Sequence, residues 1–332
     1  MKKKMFFLAA LAAVVAIPGK SFAVDANTVE IVYNGSTATV TVADNISQYV
    51  TVNSGTSSHV QIVQSAAFTG VDATVDNEDG EIIYALSGTS TDGEFYMEGS
   101  YKCTVVLNSL TLTNPSGAAI AVMNGKRVAV SVKKGTTNTL TDAANDTYNG
   151  CFHCKGHTKL KGKGILNVVG NSKHAIYSKE YVEVKNLTLN ITGAVKDAIH
   201  CKEYFLMESG TVNISAATED GIQVELSGTS STGTTTNHDD EDSGNFYMED
   251  GTLTIGNYGG KAVKADGSIT FSGGTQNFDT SDITVAAGIA SIANSIKSEL
   301  KSYDLHGRRV SASKPGFYIL KGGDNAKKVI LK

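Results

Sequence analysis

The chain has 332 residues, and 29 lysines and arginines against 33 aspartates and glutamates give it a formal net charge of -4. This balance lacks the basic surplus that binds a phosphate backbone, so nucleic acid is not expected as a partner. There are 34 glycines but only three prolines and no tryptophan, and short stretches of Val, Ile and Thr alternate with Gly, Asn, Asp and Ser. Such a composition is typical of an all-β protein.

The N-terminal segment 1–23 has the pattern of a secretory signal peptide. Three lysines at positions 2–4 precede an apolar run from Met5 to Ile17, and Ser21-Phe22-Ala23 forms a small-residue cleavage signature. That run of about 13 residues is too short to cross a bilayer as a helix, and no later segment is long enough. We expect an exported chain without a transmembrane segment, either secreted or held at the outer-membrane surface, whose mature part begins at Val24.

One spacing recurs through the middle of the chain. Three asparagines between apolar residues follow it (190 − 167 = 23 and 213 − 190 = 23): Asn167, Asn190 and Asn213. Three turns recur in step with them: His174-Ala175-Ile176, Asp197-Ala198-Ile199 and Asp220-Gly221-Ile222. A period this short, without a helical segment, predicts a right-handed parallel β-helix, which we place at residues 24–290.

Strand alternation predicts which side chains of one repeat point inward. The inward set is Ile176, Ser178, Val182, Val184, Leu187, Leu189 and Ile191. Equivalent positions in successive coils would stack ~4.8 Å apart and form a continuous core. The outward asparagines have two interpretations, a ladder of stacked amides or hydrogen-bonding groups for a sugar, and we expect the ladder.

The spacing of cysteines and histidines argues against disulfides and a shared metal site. Cys154 and Cys201 fall two coils apart, about 9.6 Å, whereas a disulfide needs Cα atoms within about 7 Å, so both are predicted to be small core residues. The steps between His153, His174 and His200 are unequal (174 − 153 = 21; 200 − 174 = 26), so the three histidines do not hold one common position in the repeat.

Several fragments resemble a secreted carbohydrate-binding β-helix family of bacteria. They are Tyr84-Ala85-Leu86-Ser87-Gly88-Thr89, the Gly-Thr-x-Asn-x-Leu-x-Asp element at 135–142, the segment 162–168 and Asp220-Gly221-Ile222. The resemblance implies a fold like that of pectate lyases, binding of plant-type or acidic polysaccharide, and calcium held by acidic turn residues. Asp220 is the implied ligand, with Glu219 and Asp197 as further candidates. His174 and Ala198 depart from the turn pattern, so an array of equivalent calcium sites is not expected.

One lysine recurs in each of three coils, which predicts a basic stripe for sugar carboxylates. The candidate carbohydrate-binding residues are Lys155, Lys179 and Lys202 with His157, Tyr181 and Tyr204, whose rings could stack on sugars. In the alternative interpretation these are solvated turn lysines paired with Glu180 and Glu203 of neighbouring coils.

An acidic insertion at 237–242 is too polar to pack, so it is predicted to loop off the solenoid. Its carboxylates could bind calcium, and the candidates are Asp239, Asp240 and Asp242. The alternative is a solvated acidic loop, because the spacing is not that of an EF-hand.

The segment 300–332 is predicted to form a small β-hairpin domain. Gly307-Arg308-Arg309-Val310, Pro315-Gly316-Phe317-Tyr318-Ile319 and the last six residues resemble the C-terminal sorting domain of the Bacteroidetes type IX secretion system. The resemblance implies the secretion machinery as a partner. The alternative is a hairpin that caps the last coil, and both can hold together.

These features leave three functional interpretations. We expect a monomeric protein that binds polysaccharide without catalysis. The alternatives are a calcium-dependent, pectate-type polysaccharide lyase on the same scaffold, and a surface structural or adhesion protein whose ligand is not a sugar. No nucleophile elbow, Walker loop, His-Glu-x-x-His motif or dinucleotide fingerprint is present, which excludes nucleotide-dependent enzymes from consideration.

Overall fold

The structure, a computed structural model, describes residues 24–227 and 242–285 and the backbone of three further strands at 301–303, 316–322 and 325–331. The predicted signal peptide at 1–23 and the acidic residues Asp239 and Asp240 lie outside the described residues.

Nearly all regular structure in the described residues is strand. The first strands are β1 (Thr28–Asn34), β2 (Thr37–Val42), β3 (Val50–Val52), β4 (His59–Gln64), β5 (Ile82–Ser90), β6 (Glu94–Gly99), β7 (Cys103–Thr113), β8 (Ile120–Asn124), β9 (Val128–Val132), β10 (Thr137–Thr141), β11 (Gly150–Cys154), β12 (Thr158–Gly162), β13 (Ile165–Gly170), β14 (His174–Ser178) and β15 (Val182–Lys185). They are followed by β16 (Thr188–Ala194), β17 (Ile199–Lys202), β18 (Tyr204–Met207), β19 (Thr211–Ala217), β20 (Ile222–Glu225), β21 (Asn245–Met248), β22 (Thr252–Tyr258), β23 (Val263–Ala265), β24 (Ile269–Phe271), β25 (Thr275–Asn277), β26 (Ile283–Val285), β27 (Lys301–Tyr303), β28 (Gly316–Gly322) and β29 (Asn325–Leu331). A 3-10 helix spans Asp44–Tyr49.

The strands wind as a parallel β-helix with three faces, so the predicted fold class is confirmed. One sheet, the first face, stacks β4, β6, β8, β11, β14, β17, β20, β23 and β26 in parallel. A larger sheet supplies the second face (β9, β12, β15, β18, β21, β24) and the third face (β10, β13, β16, β19, β22, β25). These two faces join at β7, whose first half pairs with β9 and whose last residues pair with β10. One coil, such as β14-β15-β16, therefore contributes one strand to each face.

The register brings like side chains into columns inside the solenoid. On the first face Ile176, Ile199 and Ile222 are stacked, and on the third face Leu166, Leu189 and Val212 are stacked. All seven side chains predicted to point inward are buried, which confirms the alternation. Burying a whole Leu or Ile side chain contributes about 1.5–3 kcal/mol, and the columns repeat this gain from coil to coil.

Cys154 and Cys201 are free and buried, as predicted, and so are Cys103 and Cys151. Cys154 and Cys201 lie on either side of Ser178, one coil apart from it in each direction. The Ser178 hydroxyl donates to the Gly156 carbonyl at 2.8 Å, so this buried polar group is satisfied.

The amide ladder predicted for the asparagine column is confirmed on the third face. The side chain of Asn190 donates to Oδ1 of Asn167 at 2.9 Å, and Asn213 donates to Asn190 at 2.9 Å. Each amide thereby links two adjacent coils from the outside, where backbone hydrogen bonds already pair the strands.

Replacing Asn190 with alanine is expected to lower the free energy of unfolding by about 1 kcal/mol. The change removes both ladder hydrogen bonds and leaves half-buried amide groups of Asn167 and Asn213 without their partner. Urea unfolding measures the loss. Thr192→Ala, at an exposed outward position of the same strand, is the control and should change stability by less than about 0.5 kcal/mol. Equal losses in the two variants would show that the ladder adds nothing.

Both ends of the described chain depart from the parallel coils. Antiparallel pairs β1–β2 and β3–β4 lie at the N-terminal end. The strands β27, β28 and β29 form a separate antiparallel sheet, with β28–β29 as a hairpin. Its role as a sorting domain stays a prediction.

Candidate functional site

Three lysines form a row along one edge of the first face. Lys155, Lys179 and Lys202 follow or end β11, β14 and β17, whose preceding residues Cys154, Ser178 and Cys201 are paired in register. Lys155 and Lys179 are exposed, and Lys202 is half-buried with its Nζ 3.6 Å from a Glu225 carboxylate oxygen. The backbones of the three lysines therefore recur at the ~4.8 Å spacing of the coils.

The predicted alternative, in which these lysines pair with Glu180 and Glu203, is not what the ion pairs show. Within the described residues, Lys155 and Lys179 have no ion pair, while the two glutamates face each other and His157. Two of the three ammonium groups are thus available to an anionic ligand.

A column of aromatic rings runs beside the lysine row on the outer side of the same face. His153, Tyr177 and His200 occupy equivalent outward positions of β11, β14 and β17. The ring centroids of His153 and Tyr177 are 5.1 Å apart and those of Tyr177 and His200 5.5 Å apart, with the rings stacked. Because the ring faces of this column cover one another, a ligand can reach the ring edges, but a sugar cannot stack on the faces.

A surface depression of about 520 Å³ lies at the Lys155 end of the lysine row. Its lining includes Gln64, Tyr96, Glu98 and Met123 together with Lys155. The depression continues the row beyond Lys155 and could hold one end of an extended ligand.

The corner next to the lysine row gathers His157, Glu180 and Glu203. Nε2 of His157 lies 3.3 Å from a Glu203 carboxylate oxygen, and Glu203 has a φ of 61°, an uncommon conformation for a residue with a side chain. Burial and the hydrogen bond and charge of Glu203 raise the pKa of Glu180 to about 7. Burial also raises the pKa of Glu203, but hydrogen bonds with His157 and Glu180 outweigh it and hold that pKa below the usual value. The pair thus shares one proton near neutral pH.

Glu180→Gln is expected to stabilise the fold by about 1 kcal/mol at pH 8 and to have little effect at pH 5, allowing for solvent screening of this half-exposed group. Between the ordinary glutamate pKa and about 7 the folded chain keeps a proton on Glu180 that the unfolded chain releases. Wild-type stability therefore falls as pH rises through that window, with Glu203, His157 and Lys179 as the titratable groups facing the site. Urea unfolding at both pH values measures the difference.

Glu249→Gln removes one exposed carboxylate that follows β21 of the second face and controls for the change in net charge. A gain from Glu180→Gln of the same size at pH 5 and pH 8 would contradict the shared proton.

Tyr181 and Tyr204 do not fit the sugar-stacking role predicted for them. They are 1% and 0% exposed, and their rings stack on each other with centroids 4.7 Å apart. The imidazole of His157 covers the other side of Tyr181 at 4.5 Å. The prediction needed these rings at the surface, whereas they pack in a small buried cluster with Leu206.

The predicted calcium ligands do not assemble an oxygen site among the described residues. Oδ1 of Asp220 accepts the backbone N–H of Lys261 at 2.6 Å, and Oδ2 lies 3.5 Å from the Lys264 ammonium group. Glu219 faces Lys196 at 3.6 Å. Calcium takes 6–8 oxygen ligands, so these two residues do not fit it. Oδ1 of Asp242 accepts the Ser227 N–H at 2.8 Å, and Asp239 and Asp240 lie outside the described residues.

Asp197, the remaining predicted ligand, is buried between two histidines. Nδ1 of His174 lies 3.3 Å and Nδ1 of His200 lies 3.0 Å from Oδ2 of Asp197. Sequence spacing missed this group because the step from His174 to His200 is three positions longer than one repeat. Because of these three extra residues, His200 lies beyond Asp197 in the chain, on the outer side of β17. Its ring lies next to His174 of the preceding coil.

Comparison with known families assigns the chain to one of them. The sequence profile of the family described as "carbohydrate-binding domain-containing protein" matches residues 69–314, which is more than half of the chain. The chain belongs to this family. No curated protein matches it significantly.

A solved structure has a similar fold. It is described as a polysaccharide lyase-like protein from C. thermocellum, in a gadolinium derivative. The two chains are 21% identical and superpose with a TM-score of 0.57 over 81% of this chain and 98% of the other. At this identity the likeness supports the β-helix fold. None of the helices in the described residues has the length and hydropathy needed to cross a membrane.

Proposed function

We propose that this protein binds acidic polysaccharide, without cleaving it, along the lysine row of the first face. The observation that carries the proposal is the stacking of Lys155, Lys179 and Lys202 in three successive coils, two of them exposed and without an ion pair among the described residues. A chain of uronate sugars presents carboxylates at regular intervals, and a straight row of ammonium groups can meet several of them at once.

The surroundings of the row support an extended, charged ligand. The edge of the half-buried Tyr177 ring lies beside it, and the depression at Lys155 extends it. Because the aromatic faces are already covered, attraction would come mainly from charge and hydrogen bonds. Family membership supports carbohydrate as the ligand class.

Affinity electrophoresis in gels containing polygalacturonate tests this proposal. Retardation should be strong at low salt, should weaken as salt rises, because exposed charges are screened, and should be absent with neutral cellulose or xylan derivatives. Retardation in the neutral gels alone, or in none, would rule the proposal out. Incubation of the same protein with polygalacturonate and calcium, followed by ultraviolet absorbance, detects unsaturated uronate products, and their appearance would identify a lyase instead.

We also propose that the chain is exported to the cell surface or beyond. The support is the signal-peptide pattern at 1–23 and the sorting-like motifs at 307–319. Deleting residues 300–332 in the native host and locating the protein by surface proteolysis tests this, because retention inside the cell is expected if the tail directs export.

A further inference from the structure

His174, Asp197 and His200 form a compact donor set between two adjacent coils. His174 begins β14, Asp197 stands in the turn before β17, and His200 lies within β17. One ligand atom from each residue lies within 4.8 Å of the other two, and the imidazole centroids are 4.5 Å apart. All three side chains are about nine-tenths buried or more.

Contacts around the cluster fix the orientation of the carboxylate. Oδ1 of Asp197 accepts the backbone N–H of Asp220 at 2.8 Å, which leaves Oδ2 directed at the two imidazoles. Nδ1 of His200 hydrogen-bonds this oxygen. Its Nε2 lies 3.5 Å from a Glu225 carboxylate oxygen on the next coil.

Nδ1 of His174 is a buried nitrogen whose hydrogen-bonding capacity is not satisfied by the described residues. It is buried, lies 3.3 Å from Oδ2 of Asp197, and makes no hydrogen bond with the described residues. An unsatisfied buried polar atom costs about 1–3 kcal/mol, so a ligand at this point would remove a penalty.

The pKa values of His174 and Asp197 favour, for each of these two side chains, the form that binds a metal. Burial, assisted by the nearby His200, lowers the pKa of His174 to about 3, so this imidazole is neutral at pH 7 with a lone pair to donate. Burial raises the pKa of Asp197, but the hydrogen bond from His200 and the N–H of Asp220 outweigh it and keep the pKa low, so the carboxylate is charged.

We propose that His174, Asp197 and His200 bind one divalent transition-metal ion, for which zinc is the probe. Imidazole and carboxylate are ligands that zinc takes at about 2.0–2.2 Å, and tetrahedral geometry then sets neighbouring ligand atoms roughly 3.3 Å apart. The two nitrogen–oxygen distances of 3.0 and 3.3 Å match this spacing.

Two further features fit such an ion. Glu225 opposite Nε2 of His200 is placed as the outer carboxylate that often orients a metal-bound histidine. Calcium prefers an all-oxygen shell, which this set lacks. A metal ion here would link the coil of β14 to the coil of β17. This metal site is independent of the proposed polysaccharide binding.

Zinc titration of the full chain tests the inference. The protein is prepared without a histidine tag, stripped with a chelator, and titrated with zinc in competition with a chromophoric chelator. We expect one zinc per chain with sub-micromolar affinity, no competition from millimolar calcium, and a melting temperature raised by roughly 5 °C at saturating zinc. Cobalt in place of zinc should show the intense visible absorption of a tetrahedral site.

Matched histidine variants distinguish this site from the others. His174→Gln and His200→Gln should each lose at least 100-fold in zinc affinity, while His153→Gln, in the same aromatic column, should keep it. Circular dichroism and melting of the metal-free variants show whether each is folded, and the cobalt spectrum of a folded variant gives a second readout. Weak or non-stoichiometric binding by the wild type would overturn the inference. So would unchanged affinity in both ligand variants, or loss only in His157→Gln, which would place the ion at the Glu180–Glu203 corner.

Discussion

Replacing Phe246 with alanine is expected to lower the free energy of unfolding by about 3–5 kcal/mol. Phe246 is fully buried in the core and stacks on Phe205 of the preceding coil, with centroids 5.1 Å apart and rings 7° from parallel. On its other side Phe271 lies 5.5 Å away. Alanine would leave a cavity between three coils whose backbones are tied by parallel hydrogen bonds and cannot close it. Guanidinium unfolding followed by circular dichroism measures the loss.

We also expect the destabilisation caused by Phe246→Ala to be confined to one part of the chain. Each coil of a solenoid contacts only its neighbours, so a weakened contact separates the coils beyond it from the rest. Amide hydrogen exchange should therefore speed up over residues 245–285 and stay unchanged around β11–β16. Phe246→Leu keeps most of the volume and should lose less than about 1.5 kcal/mol. Equal losses in both variants, or uniform loss of protection along the chain, would contradict the argument.

The fold could be predicted because one spacing controls both the strands and the core. When residues one repeat apart are stacked, every apolar position that alternates correctly in one coil is placed correctly in the next, as with Leu166, Leu189 and Val212. The asparagine ladder follows from the same rule, since an amide stacked on an amide can always donate and accept. The residues of the lysine row were predictable for this reason as well.

The corners were less predictable, because side-chain direction there depends on turn geometry that the repeat does not encode. Tyr181 and Tyr204 share the repeat with the lysines two residues before them, yet they are buried while Lys179 is exposed. The pairing of His174 with His200 joins two different positions within the coil, so a search for equal spacing could not find it. Contacts between unlike positions of adjacent coils can be identified only from the three-dimensional structure.

Reversing the charge of the lysine row, with glutamate at Lys155, Lys179 and Lys202, is expected to weaken binding to polygalacturonate by at least 100-fold at 0.1 M salt. One ion pair at 4 Å in water contributes about 1 kcal/mol, so losing those of the two available lysines gives about 2 kcal/mol, or roughly 30-fold in affinity, and repulsion from the three added carboxylates increases the loss further. In this variant the retardation should no longer depend on salt, because the charges that salt screens in the wild type are those of the three lysines. Affinity electrophoresis and calorimetry with polygalacturonate measure both effects.

The control carries the same change in net charge at exposed lysines away from the first face, with glutamate at Lys134, Lys161 and Lys163. It should lose less than about fivefold, since long-range repulsion over more than a Debye length of about 10 Å is largely screened at 0.1 M salt. Melting temperatures within a few degrees of wild type would show that both triple variants are folded. Equal loss in the two would mean that net charge alone attracts the polysaccharide, and the row would then have no special place in recognition. A loss confined to Lys155, Lys179 and Lys202 would locate the ligand on the first face, because those are the ammonium groups that the coil spacing aligns.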